Sequence, residues 1–223
     1  MRKAICLLSG GLDSCVTAMI AKKQGYQLYS LSFDYDQRHK KELMQAKKIA
    51  QSLQVKKHLV IQTELGKLGG SALTDTIPVP PGSALRHTIP VTYVPARNTI
   101  FLAYALAYAE VTSSLSIFIG ATSIDYSGYP DCRPEYFKAF QHMANLATKR
   151  GIEGNKIMIQ TPVIDMSKAA IIKKGLELGA PLHLTWSCYQ GGDKACGHCD
   201  ACLLRLKGFK EAGIPDPINY ENK

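Results

Sequence analysis

Lys3-Ala4-Ile5-Cys6-Leu7-Leu8 runs directly into Ser9-Gly10-Gly11-Leu12-Asp13-Ser14, and this junction decides the fold. An apolar run ending in adjacent glycines reads as a strand buried in a parallel sheet and feeding a tight turn. Ser14 to Gln24 then carries helical periodicity and stops at Gly25, a residue suited to the position after a helix. A strand–loop–helix unit aims unpaired backbone N–H groups, and the positive end of the helix dipole, at whatever the loop holds. Two adjacent glycines let the backbone approach an anion with no Cβ in the way. The loop also falls at the carboxyl edge of the first strand, where open α/β sheets bind their ligands. It has neither the lysine of a Walker-type loop nor the spaced glycines of a dinucleotide fingerprint. A purely structural glycine turn is the alternative, and the Asp13-Ser14 pair at the helix entry favours the anion cradle.

The same alternation continues along the chain. Tyr26 to Phe33 and Lys57 to Ile61 read as strands on either side of a helix over 39–53, which sets Leu43, Ala46, Ile49, Ala50 and Leu53 on one face. Arg97 to Thr112 is an Ala- and Tyr-rich helix, and Ser116 to Gly120 a strand. Pro134 to Arg150 is a helix with proline at its first position, Ile157 to Thr161 a strand, and Ser167 the cap of a helix running to Leu178. Strands alternating with helices of this length predict a doubly wound α/β fold, a mostly parallel sheet with helices on both faces. Residues 62–92 are rich in glycine and proline and read as a long loop, either a functional lid or partner surface or a mobile connection. The expected division is a main domain over 1–185 and a small cysteine-bearing segment over 186–223, with a short helix from Leu203 to Lys210.

A chain of 223 residues, 46% hydrophobic and 20% charged, suits one substantial domain with a small appendage. No apolar run approaches the ~18 residues of a membrane span. Met1-Arg2-Lys3 enters a strand rather than a signal peptide, so the expected compartment is the cytoplasm. The net charge of +9 reads either as a solvated lysine-rich surface or as an attraction for phosphates. Basic residues are spread out, in runs such as Lys22-Lys23 and Lys40-Lys41, which argues against a nucleic-acid-binding tail.

Seven cysteines, four of them close together, read as a metal site rather than a disulfide framework. Cys188, Cys196, Cys199 and Cys202 supply the four thiolates of a closed tetrahedral zinc site, with Gly191, Gly192 and Gly197 allowing tight turns. Iron–sulfur ligation usually places its fourth cysteine downstream, before a proline, whereas here it lies upstream. A zinc knuckle gripping RNA through His198 and Arg205 is a further alternative. Cys6, Cys15 and Cys132 read as small buried residues.

The Ser-Gly-Gly-x-Asp-Ser loop resembles the signature of the ATP pyrophosphatases. That resemblance implies ATP as a substrate and a nucleotide-binding segment of Leu8, Ser9, Gly10, Gly11, Leu12, Asp13, Ser14, Cys15, Val16, Thr17 and Ala18. Asp13 is then a direct or water-mediated contact to Mg²⁺. Three further stretches narrow the family: Val94-Pro95-Ala96-Arg97-Asn98-Thr99, Asp125-Tyr126-Ser127-Gly128-Tyr129-Pro130-Asp131-Cys132-Arg133-Pro134-Glu135, and Leu184-Thr185-Trp186-Ser187-Cys188-Tyr189. Together with the loop and the cysteine spacing they make the chain similar to the 7-cyano-7-deazaguanine synthases over nearly its whole length, excepting 62–92.

The resemblance implies 7-carboxy-7-deazaguanine and ammonia as substrates, an acyl adenylate and an amide as intermediates, and a homodimer that needs no nucleic acid. The residue types match. Asp125 and Asp131 could accept hydrogen bonds from a guanine-like edge, and Arg97 and Arg133 could clamp a carboxylate or phosphates. With Asp13 these are the expected catalytic residues, each also readable as a structural ion pair or turn cap. Lys168 is a phosphate candidate or a surface lysine, Tyr126 and Tyr129 stack on a base or pack in the core, and Trp186 packs beside the zinc site. A tRNA-thiolating enzyme would share the loop but would need a reactive cysteine, for which Cys15 or Cys132 could be proposed.

Overall fold

Five strands alternate with seven α-helices in the computed structural model, which describes residues 1–37, 40–78, 89–124, 128–190 and 192–221. In chain order they are β1 (Lys3–Leu7), α1 (Leu12–Lys23), β2 (Gln27–Asp34), α2 (Lys41–Ser52), β3 (Lys57–Gln62), α3 (Arg97–Thr112), β4 (Ser116–Phe118), α4 (Pro134–Ala147), α5 (Lys149–Ile152), β5 (Met158–Gln160), α6 (Lys168–Leu178) and α7 (Asp200–Ala212). The strands form one sheet in the order β3-β2-β1-β4-β5, and every pairing is parallel. The expected doubly wound sheet is therefore present.

Alternation along β1 distributes the core to the two faces of the sheet. Ala4, Cys6 and Leu8 pack with Cys15 and Ala18 of α1 and Ala46, Ile49 and Ala50 of α2. Ile5 and Leu7 pack on the opposite face with Leu102, Ala105 and Ala109 of α3 and Phe137 and Phe140 of α4. Side chains of successive strand residues point to opposite faces, so a strand covered on both sides must be apolar throughout.

The chain leaves β1 outward through β2 and β3, then returns to place β4 on the other side of β1. The strand order thus reverses between β1 and β4, and a ligand crevice is expected at their carboxyl ends. Gly120, just beyond β4, packs so tightly there that a Cβ would lie 2.7 Å from the backbone of Asp13 and Ser14.

The described part of the cysteine-bearing segment packs against the main sheet-and-helix core. Phe209 of α7 and Ile214 share a core with Leu12, Val16, Ile171, Ile172 and Leu182. Arg205, 2% exposed, pairs with Asp216 at 2.7 Å and donates to the Thr185 hydroxyl at 2.8 Å. The α7 helix begins at Asp200, earlier than the expected Leu203, because Cys199 sits at its N-cap. The expected helix over 134–150 breaks after Ala147: Thr148 adopts extended backbone and caps α5 through a bond from Gly151 N–H. Within 62–92, Leu65–Leu68 form a 3-10 turn and Ala72 N–H bonds Val91 O; 79–88 lie outside the described residues. Among the described residues, no helix is long and apolar enough to cross a membrane.

Candidate active site

The loop after β1 is built from its own short side chains. Ser9 N–H donates to the Ser14 hydroxyl at 3.2 Å, Ser14 donates to Gly11 O at 3.0 Å, and Gly11 N–H donates to the Ser9 hydroxyl at 3.2 Å. The Ser32 hydroxyl holds the strand end by donating to Leu8 O. No side chain caps the first turn of α1, so its backbone donors face the loop. Gly10 has φ +91°, and a Cβ there would sit 2.2 Å from the carbonyl oxygen of Glu42. Glycine is required both for the backbone angle and for the close approach of α2.

This loop forms one end of a cleft of about 340 Å³, within the range of small-molecule sites. Leu8, Ser9, Gly11, Leu12, Asp13 and Ser14 line that end. Cys15, Val16, Thr17 and Ala18, expected in the same nucleotide-binding segment, are buried and do not line the cleft; Cys15, Val16 and Ala18 pack in the cores against α1. A helix presents only one side of its first turn to a ligand, and the next turn is already inside the fold.

Asp13 and Lys168 meet in the cleft wall: Lys168 Nζ lies 2.7 Å from both carboxylate oxygens. Both are partly buried and both line the cleft.

Arg97 opens α3 and lines the cleft. Ala96 before it is left-handed at φ +54°, a strained setting for a residue with a Cβ and one found often at functional sites. Arg97 shares the cleft with Tyr35 and lies 5.9 Å from the Tyr129 ring centroid. Burial works against its charge, but Tyr35, Tyr129 and Asp131 raise its pKa further above the ordinary arginine value. Glu42, in the first turn of α2, also lines the cleft. Burial pushes its carboxyl up to about 7, opposed by Arg97.

The structure separates Asp131 and Arg133 from the cleft. Asp131 is buried, and its carboxylate accepts from Asn98 N–H at 3.0 Å while its carbonyl accepts from the Asn98 amide at 3.0 Å. It therefore caps the N-terminus of α3 from 33 residues away in sequence. Arg133 is exposed and donates to Pro130 O at 3.1 Å. Neither lines the cleft. Asp125 and Tyr126 lie outside the described residues, as does Gly191. Tyr129 lines the cleft and its hydroxyl meets that of Thr92 at 3.0 Å.

Cys188, Cys196, Cys199 and Cys202 are all buried, with their sulfurs within 4.8 Å of one another. A tetrahedral zinc with ~2.3 Å bonds needs sulfurs about 3.8 Å apart, and Cys196 Sγ to Cys202 Sγ is 3.9 Å. The donor set fits zinc. Hydrogen bonds from Cys199 and Cys202 hold the Cys188 thiol far below its ordinary pKa, while hydrogen bonding to Cys188 and burial push the Cys202 thiol up. Backbone N–H groups of Gln190 and Cys196 point at Cys188 Sγ, and that of Cys199 at Cys196 Sγ, as a thiolate cluster requires. Trp186 packs against the cysteines, and Lys41 Nζ lies 3.8 Å above its ring while donating to Gly192 O and Asp193 O. Cys188 and Trp186 line the cleft, so the cysteine cluster forms one of its walls.

The remaining cysteines do not have the setting of a reactive thiol. Burial pushes Cys6 and Cys15 up to about 12. Cys132 lines the cleft but is buried and receives the Asn98 amide at 3.3 Å.

The family model for "Queuosine biosynthesis protein QueC" matches residues 3–213, from the first strand to beyond the cysteines. The chain belongs to that family. The 7-cyano-7-deazaguanine synthase of Acetivibrio thermocellus is 58% identical over 221 residues, covering 99% of this chain and 98% of that one. Its counterpart from Coxiella burnetii strain RSA 331 is 56% identical over 225 residues, covering 100% of both. Two solved structures share the fold of this QueC-family chain at low identity. A predicted tRNA methyltransferase subunit from Methanocaldococcus jannaschii aligns with a TM-score of 0.51 at 17% identity, over 100% of this chain and 93% of that one. A 4-thiouridine synthetase, solved with RNA and bound ATP, aligns with a TM-score of 0.55 at 15% identity, over 98% of this chain and 47% of that one.

Proposed function

We propose that the chain is an ATP-dependent carbon–nitrogen ligase that converts 7-carboxy-7-deazaguanine and ammonia to 7-cyano-7-deazaguanine, in queuosine precursor biosynthesis. The observation that carries this reading is a single cleft that joins the loop at the N-terminus of α1 to Arg97, in a chain matched by the QueC family over residues 3–213.

The chemistry divides into two activations. The substrate carboxylate attacks the α-phosphate of ATP, giving the acyl adenylate and pyrophosphate. Ammonia adds to the acyl carbon, AMP departs with its bonding pair, and a proton is lost, leaving the amide. The amide oxygen attacks a second ATP, again releasing pyrophosphate. With a proton lost from nitrogen in that step the adduct is an imidate adenylate, and departure of AMP with loss of the second N–H proton yields the nitrile. Adenylation is needed because a carboxylate oxygen is a poor leaving group and AMP a good one.

The backbone donors of Leu12 to Ser14 suit the pyrophosphate end of ATP, at the positive end of the α1 dipole. Lys168 supplies positive charge beside them. Arg97 suits the substrate carboxylate or the α-phosphate on which its charge develops. A Mg²⁺ ion arriving with ATP would take mainly phosphate oxygens and water, with Asp13 as the nearest protein carboxylate. A zinc held by Cys188, Cys196, Cys199 and Cys202 would be structural, because four thiolates would leave no open position for substrate. The reading also has the enzyme working in the cytoplasm as a homodimer without nucleic acid, and Asp125 as a substrate contact.

Mass spectrometry of purified protein with ATP, Mg²⁺, ammonium and 7-carboxy-7-deazaguanine tests the reading. The expected products are the nitrile with two AMP and two pyrophosphate per turnover. ATP left untouched with this acid, but split to AMP with tRNA, would keep the phosphate loop and overturn the substrate.

A further inference from the structure

Two carboxylates line the cleft among the described residues, Asp13 and Glu42. Both oxygens of Asp13 are engaged by Lys168. Glu42, by contrast, accepts no hydrogen bond and forms no ion pair with any described residue. An acidic group in a partly dry cleft with no donor of its own leaves two acceptor oxygens for a ligand.

The backbone beneath Glu42 is held from two sides. Its carbonyl packs against Gly10 so closely that a Cβ there would lie at 2.2 Å. Its neighbour Lys41 is tied to the cysteine-bearing loop by bonds of 2.8 Å to Gly192 O and 2.7 Å to Asp193 O. Glu42 is therefore fixed between the phosphate loop and the metal centre, as a recognition group must be. The cleft around it carries aromatic side chains, among them Tyr35, Phe101 and Tyr189, suited to a flat heterocycle.

We infer that Glu42 is a specificity-determining residue, its carboxylate accepting the adjacent ring N–H and exocyclic amino donors of the guanine-like substrate. This rests on the substrate class proposed above. Two parallel N–H donors match a carboxylate bidentately, as a guanidinium does. The positive Arg97 in the same cleft suits the other end of the ligand, which carries the acid. Asp131, expected from sequence to read that edge, is committed to the α3 N-terminus.

The test compares 7-carboxy-7-deazaguanine with its 2-deamino analogue, in the zinc-loaded wild type and in Glu42→Gln, by calorimetric binding and by nitrile formation. A site built around a donor pair rejects a ligand lacking one, so the wild type is expected to prefer the amino acid form by at least about 100-fold. Glu42→Gln is expected to shrink that preference to under about 10-fold, weakening the amino form most and leaving KM for ATP within about 2-fold. Equal weakening of both acids would overturn the assignment and make Glu42 a counter-ion of Arg97. The wild-type comparison stands without any variant: a wild type that binds both acids alike while still making nitrile overturns the role of Glu42 alone. A wild type that makes no nitrile at all overturns the function, and this assignment with it.

Discussion

Lys168 Nζ lies 2.7 Å from each carboxylate oxygen of Asp13, joining the first residue of α6 to the first turn of α1 at the mouth of the phosphate loop. The contact spans 155 residues and connects the start of the sheet to the helix on which the metal-bearing segment packs.

Lys168→Ala removes the positive charge beside the loop and leaves Asp13 facing the phosphates. The expected result is a fall of at least about tenfold in kcat/KM for ATP, roughly 1.4 kcal/mol of transition-state stabilisation. Initial rates of AMP release measure it, and values within twofold of wild type would count against a phosphate role.

Gly10→Ala forces a Cβ toward the Glu42 carbonyl and an L-residue into φ +91°. Strain of this kind costs about 1–3 kcal/mol before any clash is counted. A Tm loss of roughly 2–12 °C is expected in a chain of this size, together with loss of ATP cleavage. Unchanged thermal denaturation would show that α2 yields easily.

Arg205 and Asp216 are 2% and 4% exposed in their side chains, and Tyr220 donates to Asp216 at 2.6 Å. Removing one partner, as in Arg205→Met, strands a buried charge and should cost about 3–5 kcal/mol. Replacing both with leucine is expected to recover part of that loss. Urea denaturation of the single and double variants measures the difference; a single variant as stable as wild type contradicts the coupling.

Trp186 is the one tryptophan of the chain and packs against the four cysteines. Removing zinc with a chelator should shift its fluorescence to the red as the segment loosens, in step with one equivalent of metal released. The same change is expected in Cys199→Ser. Full metal release with unaltered emission would show that packing alone holds the segment.

Burial pushes the thiols of Cys6 and Cys15 up to about 12 from an ordinary 9.0. At pH 8 both should resist alkylation until the protein unfolds. Because the native state keeps these protons longer than the unfolded state, unfolding is favoured as pH rises from about 9 toward 12. Stability should therefore decline across that window, less steeply in Cys6→Ala. Rapid labelling of Cys15 in the native protein would contradict the burial.

The sequence was most legible where the signal was local. The bounds of α3 and α6 match the expected 97–112 and 168–178, and those of α6 are marked within a few residues: Ser167 caps it through Ala170 N–H, and Gly179 ends it at φ +73°. That Asp131 caps the α3 N-terminus was not legible, because a cap supplied across 33 residues leaves no local trace. Glu42 escaped notice because an acid in the first turn of a lysine-rich helix reads as a solvated residue favouring the helix dipole. The one signal that could have found it is the glycine pair at 10 and 11, which implies that some other segment comes close.

The order of residues alone determined a parallel α/β sheet, a glycine loop between its first strand and first helix, and four cysteines spaced for zinc. Each follows from periodicity or spacing within about fifteen residues, the range over which a strand, a turn or a helix is specified. The tertiary structure decided the rest: that β4 lies beside β1, that Lys168 meets Asp13, that Arg97, Glu42 and the cysteine cluster share one cleft, and that Asp131 and Arg133 stand outside it. Those relationships depend on how helices pack across a sheet, where side chains distant in sequence become neighbours because burying apolar faces, not chain proximity, sets their separation.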